Sequence, residues 1–263
     1  MNRLDRKLRA KWDALIETEG NAIGLSGCRP FLEDKTANDI FYEGRFKGRP
    51  CIVKCSSRAP DSILNEYRML GRLHAVAPAV CPEPYAIREG NMAFLVEEKV
   101  CGDKATSPAE DILAMAEALR WTGIVHRDIS PCNMLPGSDG HLKLIDFQFA
   151  IDRNNYCETR FMRSNPTYLH VTFGSSEGIG LGQWNDLSGS GLIRCLEHFA
   201  PEDKESRRKL VEMVPEMSFS VNVPASVRRR ILIYEKSLAL QHLFNRKKSV
   251  RRRLEKVRSI LFS

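Results

Sequence analysis

Residues 124–150 read IVHRDISPCNMLPGSDGHLKLIDFQFA. An Asp able to accept a hydroxyl proton, Asp128, stands five residues before Asn133, whose amide oxygen can hold a metal. Thirteen residues further on, Asp146 ends the apolar run Leu142, Leu144, Ile145. Between them, Gly137, Ser138, Asp139 and Gly140 make a turn. The spacing predicts a hairpin with Asn133 and Asp146 on adjacent strands. Both could then reach one Mg²⁺ while Asp128 faces an acceptor oxygen. Phosphoryl transfer from ATP needs this set: a metal to neutralise phosphate charge and a positioned base.

The run resembles the catalytic loop and metal-binding motif of the protein-kinase-like superfamily. His126-Arg127-Asp128 matches that family's HRD, Asn133 its metal-binding Asn, and Asp146-Phe147-Gln148 its DFG with Gln in place of Gly. Cys51-Ile52-Val53-Lys54 is similar to the VAIK strand, and Asn65-Glu66-Tyr67-Arg68-Met69-Leu70 to the helix that carries its paired Glu. The resemblance extends over roughly residues 28 to 195 and is strongest from Ile124 to Ala150. It implies an α+β, bilobal protein-kinase-like fold with a small β-rich N-lobe and a reduced helical C-lobe. It also implies ATP and Mg²⁺ as cofactors. Asp128 would be the catalytic base, with Asn133 and Asp146 as metal ligands. Lys54, held by Glu66, would contact the phosphates. The strand and loop from Leu95 to Gly102 are similar to the hinge, so Glu98 and Val100 are expected to meet the adenine. Asp186, in Trp184-Asn185-Asp186-Leu187, matches the Asp that bonds the backbone of the HRD turn, with Gly191 also matching.

Other positions depart from the family. The segment 33–39, Glu-Asp-Lys-Thr-Ala-Asn-Asp, lacks the GxGxxG that lets backbone approach phosphate closely, leaving Lys35, Thr36 and Asn38 as substitute donors. Gln148 should stiffen the turn after Asp146. Arg127 could anchor a phosphorylated activation segment through Thr159 or Tyr156, or merely support its loop. Asn165-Pro166-Thr167-Tyr168-Leu169 is similar to the end of such a segment, although no APE follows.

The chain of 263 residues is long enough for one domain or two closely packed lobes. Its net charge of +7 suits an acidic partner such as a nucleotide, a phosphorylated glycan or an anionic membrane. Eight scattered cysteines with no CxxC pair indicate reduced thiols. No secretory signal core and no apolar run of spanning length is present, so a cytoplasmic protein is expected. An amphipathic helix over 3 to 18, broken at Gly20 and Gly24, should precede strands at Ile40–Phe46 and Cys51–Cys55. A helix from Pro60 and strands near Tyr85–Ile87 and Met92–Val96 follow. The expected division is 1–24 for the N-terminal helix, 25–102 for the N-lobe and 103–263 for the C-lobe.

The acceptor is read from two features. Ser130 stands where protein kinases of the family usually have Lys, and only one helix, Ala109 to Trp121, fits between Gly102 and His126. Both are more similar to compact bacterial kinases of the lipopolysaccharide core. A glycan acceptor is therefore the main reading, with a Ser/Thr protein kinase as the alternative and a non-catalytic nucleotide-binding pseudokinase as a further one. From Arg246 to Arg258 there are eight basic residues and one acid, over Val250, Leu254, Val257 and Leu261 at helical spacing. Such a helix suits the anionic inner face of a membrane, or is simply a solvated face; it lacks the aromatic residues expected of a nucleic-acid surface.

Overall fold

The computed structural model describes residues 3–32, 39–57, 59–157, 182–187, 191–234 and 236–237. It opens with α1 (Arg3–Leu15), which continues as a wider helical turn through Gly20 and a last turn at Asn21–Ile23. Gly20, expected to break this helix, lies inside it in right-handed helical geometry. It is used for closeness: a Cβ there would stand 3.0 Å from Leu25 Cδ1. Gly24 does end the helix, with φ of 99°, where an L side chain would be strained.

Five antiparallel strands follow: β1 (Leu25–Leu32), β2 (Asp39–Phe46), β3 (Arg49–Ser56), β4 (Pro84–Arg88) and β5 (Ala93–Glu98), in the spatial order β1-β2-β3-β5-β4. Lys47 and Gly48 join β2 to β3 with φ of 49° and 84°, the twist that a two-residue hairpin needs. Between β3 and β4 runs α2 (Pro60–Val76), started by Pro60 in its first turn.

The sheet is covered on both faces, and strand alternation decides which residue looks where. Cys51, Val53 and Cys55 join Phe94 and Val96 in a cluster with Trp12 of α1 and Ile16 of the turn that continues it. From the opposite face, Leu95 and Ala93 pack on Ile63 of α2. Lys54 shares that second face, being the cross-strand partner of Leu95.

The second lobe is built on α3 (Pro108–Thr122), the one helix expected between hinge and catalytic loop. Short pairs surround it: β6 (Ile124–Val125) with β9 (Ile151–Asp152), and β7 (Met134–Pro136) with β8 (Leu142–Leu144). Beyond these come β10 (Gln183–Trp184), α4 (Leu192–Phe199), α5 (Lys204–Met217) and β11 (Phe219–Ser220), with β10 paired to β11. The core of this lobe gathers Ile112, Met115 and Leu119 of α3, Leu142 and Leu144 of β8, Phe147, and Leu192, Leu196 and Leu210. It also takes in Leu70 and Leu73 of α2, so that helix belongs to both lobes. A bilobal protein-kinase-like fold results. Among the described residues no helix is long and apolar enough to cross a membrane. The substitute phosphate donors at 35–38, Thr159, the segment 165–169 and the basic run 246–258 lie outside the described residues.

Candidate active site

The β7–β8 hairpin places the two expected metal ligands. Register pairs Met134 with Leu144, and the Ile145 N–H donates to the Asn133 carbonyl at 2.9 Å, so Asn133 stands beside the residue preceding Asp146. The Asn133 Nδ2 donates to the Asp128 backbone oxygen at 2.8 Å and to its Oδ2 at 3.2 Å. The amide nitrogen is thus engaged by Asp128, which leaves Oδ1 as the atom that could hold a metal.

Asp146 adopts a left-handed backbone with φ of 67°, a conformation Asp tolerates better than most side chains. Its Oδ1 accepts from Lys54 Nζ at 2.8 Å. Burial tends to raise this carboxyl, but Lys54 beside it holds it below the ordinary range. Lys54 Nζ also lies 2.8 Å from Glu66 Oε2. Lys54 and Glu66 are both almost fully buried, so each needs the other's charge. Glu66 uses its second oxygen to accept from the Phe147 N–H at 3.0 Å. The short separation of Lys54 and Glu66 in sequence therefore does not keep them apart.

Gln148 follows in a single 3₁₀ turn, Phe147–Phe149, which an L residue adopts without strain. Nothing there requires the family's Gly, and the Gln148 Nε2 reaches back to Asp146 Oδ2 at 3.4 Å.

The turn bearing Asp128 is fixed from beneath. Asp186 accepts from the backbone N–H of His126 at 2.5 Å and of Arg127 at 2.9 Å. His126 is buried, its Nε2 bonded to the Ile145 oxygen at 3.1 Å and its ring edge-on to Phe147, centroids 4.6 Å apart. Its Nδ1 accepts from the Asp128 N–H at 3.3 Å, which assigns a neutral ring with the proton on Nε2. Burial lowers its pKa to about 4. Arg127, at φ 68°, donates to the Phe149 oxygen at 2.6 Å and lies over Trp184, 5.3 Å from the ring centroid. Both contacts tie it to the loop and to the wall behind it. Tyr156, the other phosphorylation candidate, is partly exposed and packs near Trp184 and Phe219.

At the hinge the two expected positions differ. The Glu98 N–H donates to the Glu83 oxygen at 2.9 Å, and its carboxylate receives Lys143 Nζ at 2.8 and 2.9 Å. Glu98 is committed to the fold, joining the end of β5 to the catalytic hairpin. The Val100 N–H has no partner among the described residues and is the open donor of the pair.

Sequence reading missed the groups that tie α2 to the second lobe. Ser62 Oγ donates to the Gln148 oxygen at 3.3 Å and Asn65 Nδ2 to the Ala150 oxygen at 2.8 Å. Arg72 reaches Asp152 Oδ2 at 2.7 Å and the Thr122 oxygen at 2.6 Å. Positions 62, 65, 66, 69 and 72 form one helical stripe, and polar residues recurring along it were the available signal. Lys143 was equally visible, as a lysine between Leu142 and Leu144.

A family model described as RIO domain matches residues 33–175, more than half of the chain, including Lys54, Glu66, Asp128, Asn133 and Asp146. The chain belongs to the RIO family. The chain is also similar in sequence to kinases. It is 34% identical over 121 residues to the cyclin-dependent kinase-like 5 of Mus musculus, covering 42% of this chain and 12% of that protein. The Homo sapiens protein of that name matches to the same extent. The cAMP-dependent protein kinase catalytic subunit of Schizosaccharomyces pombe is 32% identical over 124 residues, covering 44% of this chain and 22% of the relative. The RIO chain thus spans only a minor part of the length of these kinases. Among solved structures, a chain of the yeast RNA Pol II CTD kinase CTDK-1 complex superposes with TM-score 0.38 at 16% identity. That match covers 48% of this chain and 47% of the other, a likeness too loose to carry an argument.

Proposed function

We propose that this RIO protein transfers the γ-phosphoryl of ATP to a Ser or Thr hydroxyl of a protein. The observation that carries the reading is the buried Lys54, held at 2.8 Å by both Glu66 and Asp146, with Asn133 bonded to Asp128 on the same hairpin. A lysine so held keeps its charge and is aimed at phosphate oxygens. Asp128 orients the acceptor hydroxyl and takes its proton. The Val100 N–H is available to the base.

Asp146 and the Asn133 amide oxygen fit Mg²⁺, which favours hard oxygen donors and is bound through one or two carboxylates plus substrate phosphates. When bound there, the ion would neutralise phosphate charge.

The relatives favour a protein acceptor. Those named above include the catalytic subunit of a cAMP-dependent protein kinase, whereas the glycan reading rests on Ser130 and the single helix α3 alone. Incubating the purified chain with Mg²⁺ and γ-labelled ATP tests the proposal. Label is expected on protein, the chain itself included, and is lost in Asp128→Asn and Asp146→Asn. Label on purified lipopolysaccharide core but not on protein would restore the glycan reading. Nucleotide binding without turnover in the wild type would make the chain a binding module.

A further inference from the structure

Glu97 has no role in the chemistry above, yet it lies close to Lys54, Glu66 and Asp146. Its cross-strand partner is Ile52, two residues along from the Lys54–Leu95 pair, so its side chain shares the face of Lys54 and not that of Val53 and Val96. The charges around it confirm the direction. Lys54 on β3, Glu66 on α2 and Asp146 at the end of the hairpin all act on its carboxyl, with Glu98 beside it. Among the described residues its carboxyl has no hydrogen bond or salt bridge. A partly buried acid next to Glu66 and Asp146 is costly, and the preceding position on this face, Leu95, shows that an apolar side chain suits this part of the sheet. Fold stability therefore gives no reason for an acid here.

Nucleotide recognition does, and this step rests on the ATP reading. Phosphates drawn to Lys54 place the base under the end of β5, with its outer edge along the Val100 N–H. The corner of the base turned toward position 97 then carries the exocyclic group and N7. Adenine presents there a donor, N6–H₂, beside an acceptor, N7; guanine presents two acceptors, O6 and N7. We infer that Glu97 selects adenine over guanine, its carboxyl oxygen accepting from the N6 amino group. Should the carboxyl carry a proton, it also donates to N7 and matches adenine at two points. In neither state does it match two acceptors, and a guanine leaves polar groups facing one another unpaired.

Binding of fluorescent ATP and GTP analogues to the full chain with Mg²⁺ tests this, with thermal unfolding as a check that each variant folds. Wild type is expected to prefer ATP. Glu97→Met should reduce that preference about tenfold or more, mainly through weaker ATP binding. Glu97→Gln should keep it, because an amide offers adenine the same acceptor and donor. Glu97→Leu serves if the Met variant does not fold. An unchanged ATP:GTP ratio in the folded Met or Leu variant overturns the inference while leaving the phosphotransferase reading intact. A wild type that binds neither nucleotide overturns both.

Discussion

Asp146 is constrained twice, by the charge of Lys54 and by its own left-handed backbone. Asn tolerates that backbone and Ala does not, so Asp146→Asn removes the charge alone whereas Asp146→Ala adds strain. Turnover should fall by at least about 10²-fold in Asp128→Asn, with the midpoint of denaturant unfolding little changed. Asp186→Ala differs in kind: it strips two buried N–H groups of their acceptor and should cost about 2–4 kcal/mol of stability by urea titration. His126 gives a pH signature. Its depressed value means that the fold favours the neutral ring, so stability is full above the ordinary imidazole value of 6.5 and declines as pH falls toward 4. Between pH 7 and pH 5 this amounts to about 2 kcal/mol. The exposed His141, raised by its bond to Asp111, runs the other way: its contribution is present at low pH and lost as pH rises through its folded value. The difference between wild type and His126→Asn across this range isolates the buried ring, and parallel profiles would refute its role.

At the scale of elements, the short hairpin β7–β8 was legible because its chemistry is local: turn residues at 137–140 and apolar alternation suffice. The ties that fix it in place were not, since they join residues far apart in sequence. Lys143 meets Glu98 across 45 positions, and Gly102 lies so near Gly137 that a Cβ would stand 2.3 Å from its oxygen. The residue pattern 98–103 reads as a linker whether or not it leans on that turn. Removing the charge as Glu98→Gln leaves the buried Lys143 with the half-exposed Asp139, at 3.2 Å, as its remaining counter-charge among the described residues. The expected loss is about 2–4 kcal/mol by chemical denaturation, and Glu98→Gln with Lys143→Met should recover most of it. A double variant no more stable than the single one would show that the pair does not couple hinge to hairpin.

Over the whole molecule, the two-lobed plan followed from the motifs and from the shift from strands to helices near residue 100. The place of α1 did not. Its apolar stripe announced an amphipathic helix, but only the structure shows Trp12 and Ile16 closing the back of the sheet against Val53, Phe94 and Val96. Trp12→Ala should cost about 3–5 kcal/mol in global stability and leave the nucleotide preference unaltered. The family match from 33 to 175 stops before α4 and α5, which complete the second core. The seam between lobes is where α2 is sewn at Ser62, Asn65, Glu66 and Arg72, with Leu70 and Leu73 sunk below. To swing that helix outward, all of these attachments would have to be released together. Among the described residues, then, an outward swing of α2 would be all-or-none, each tie holding the others in place.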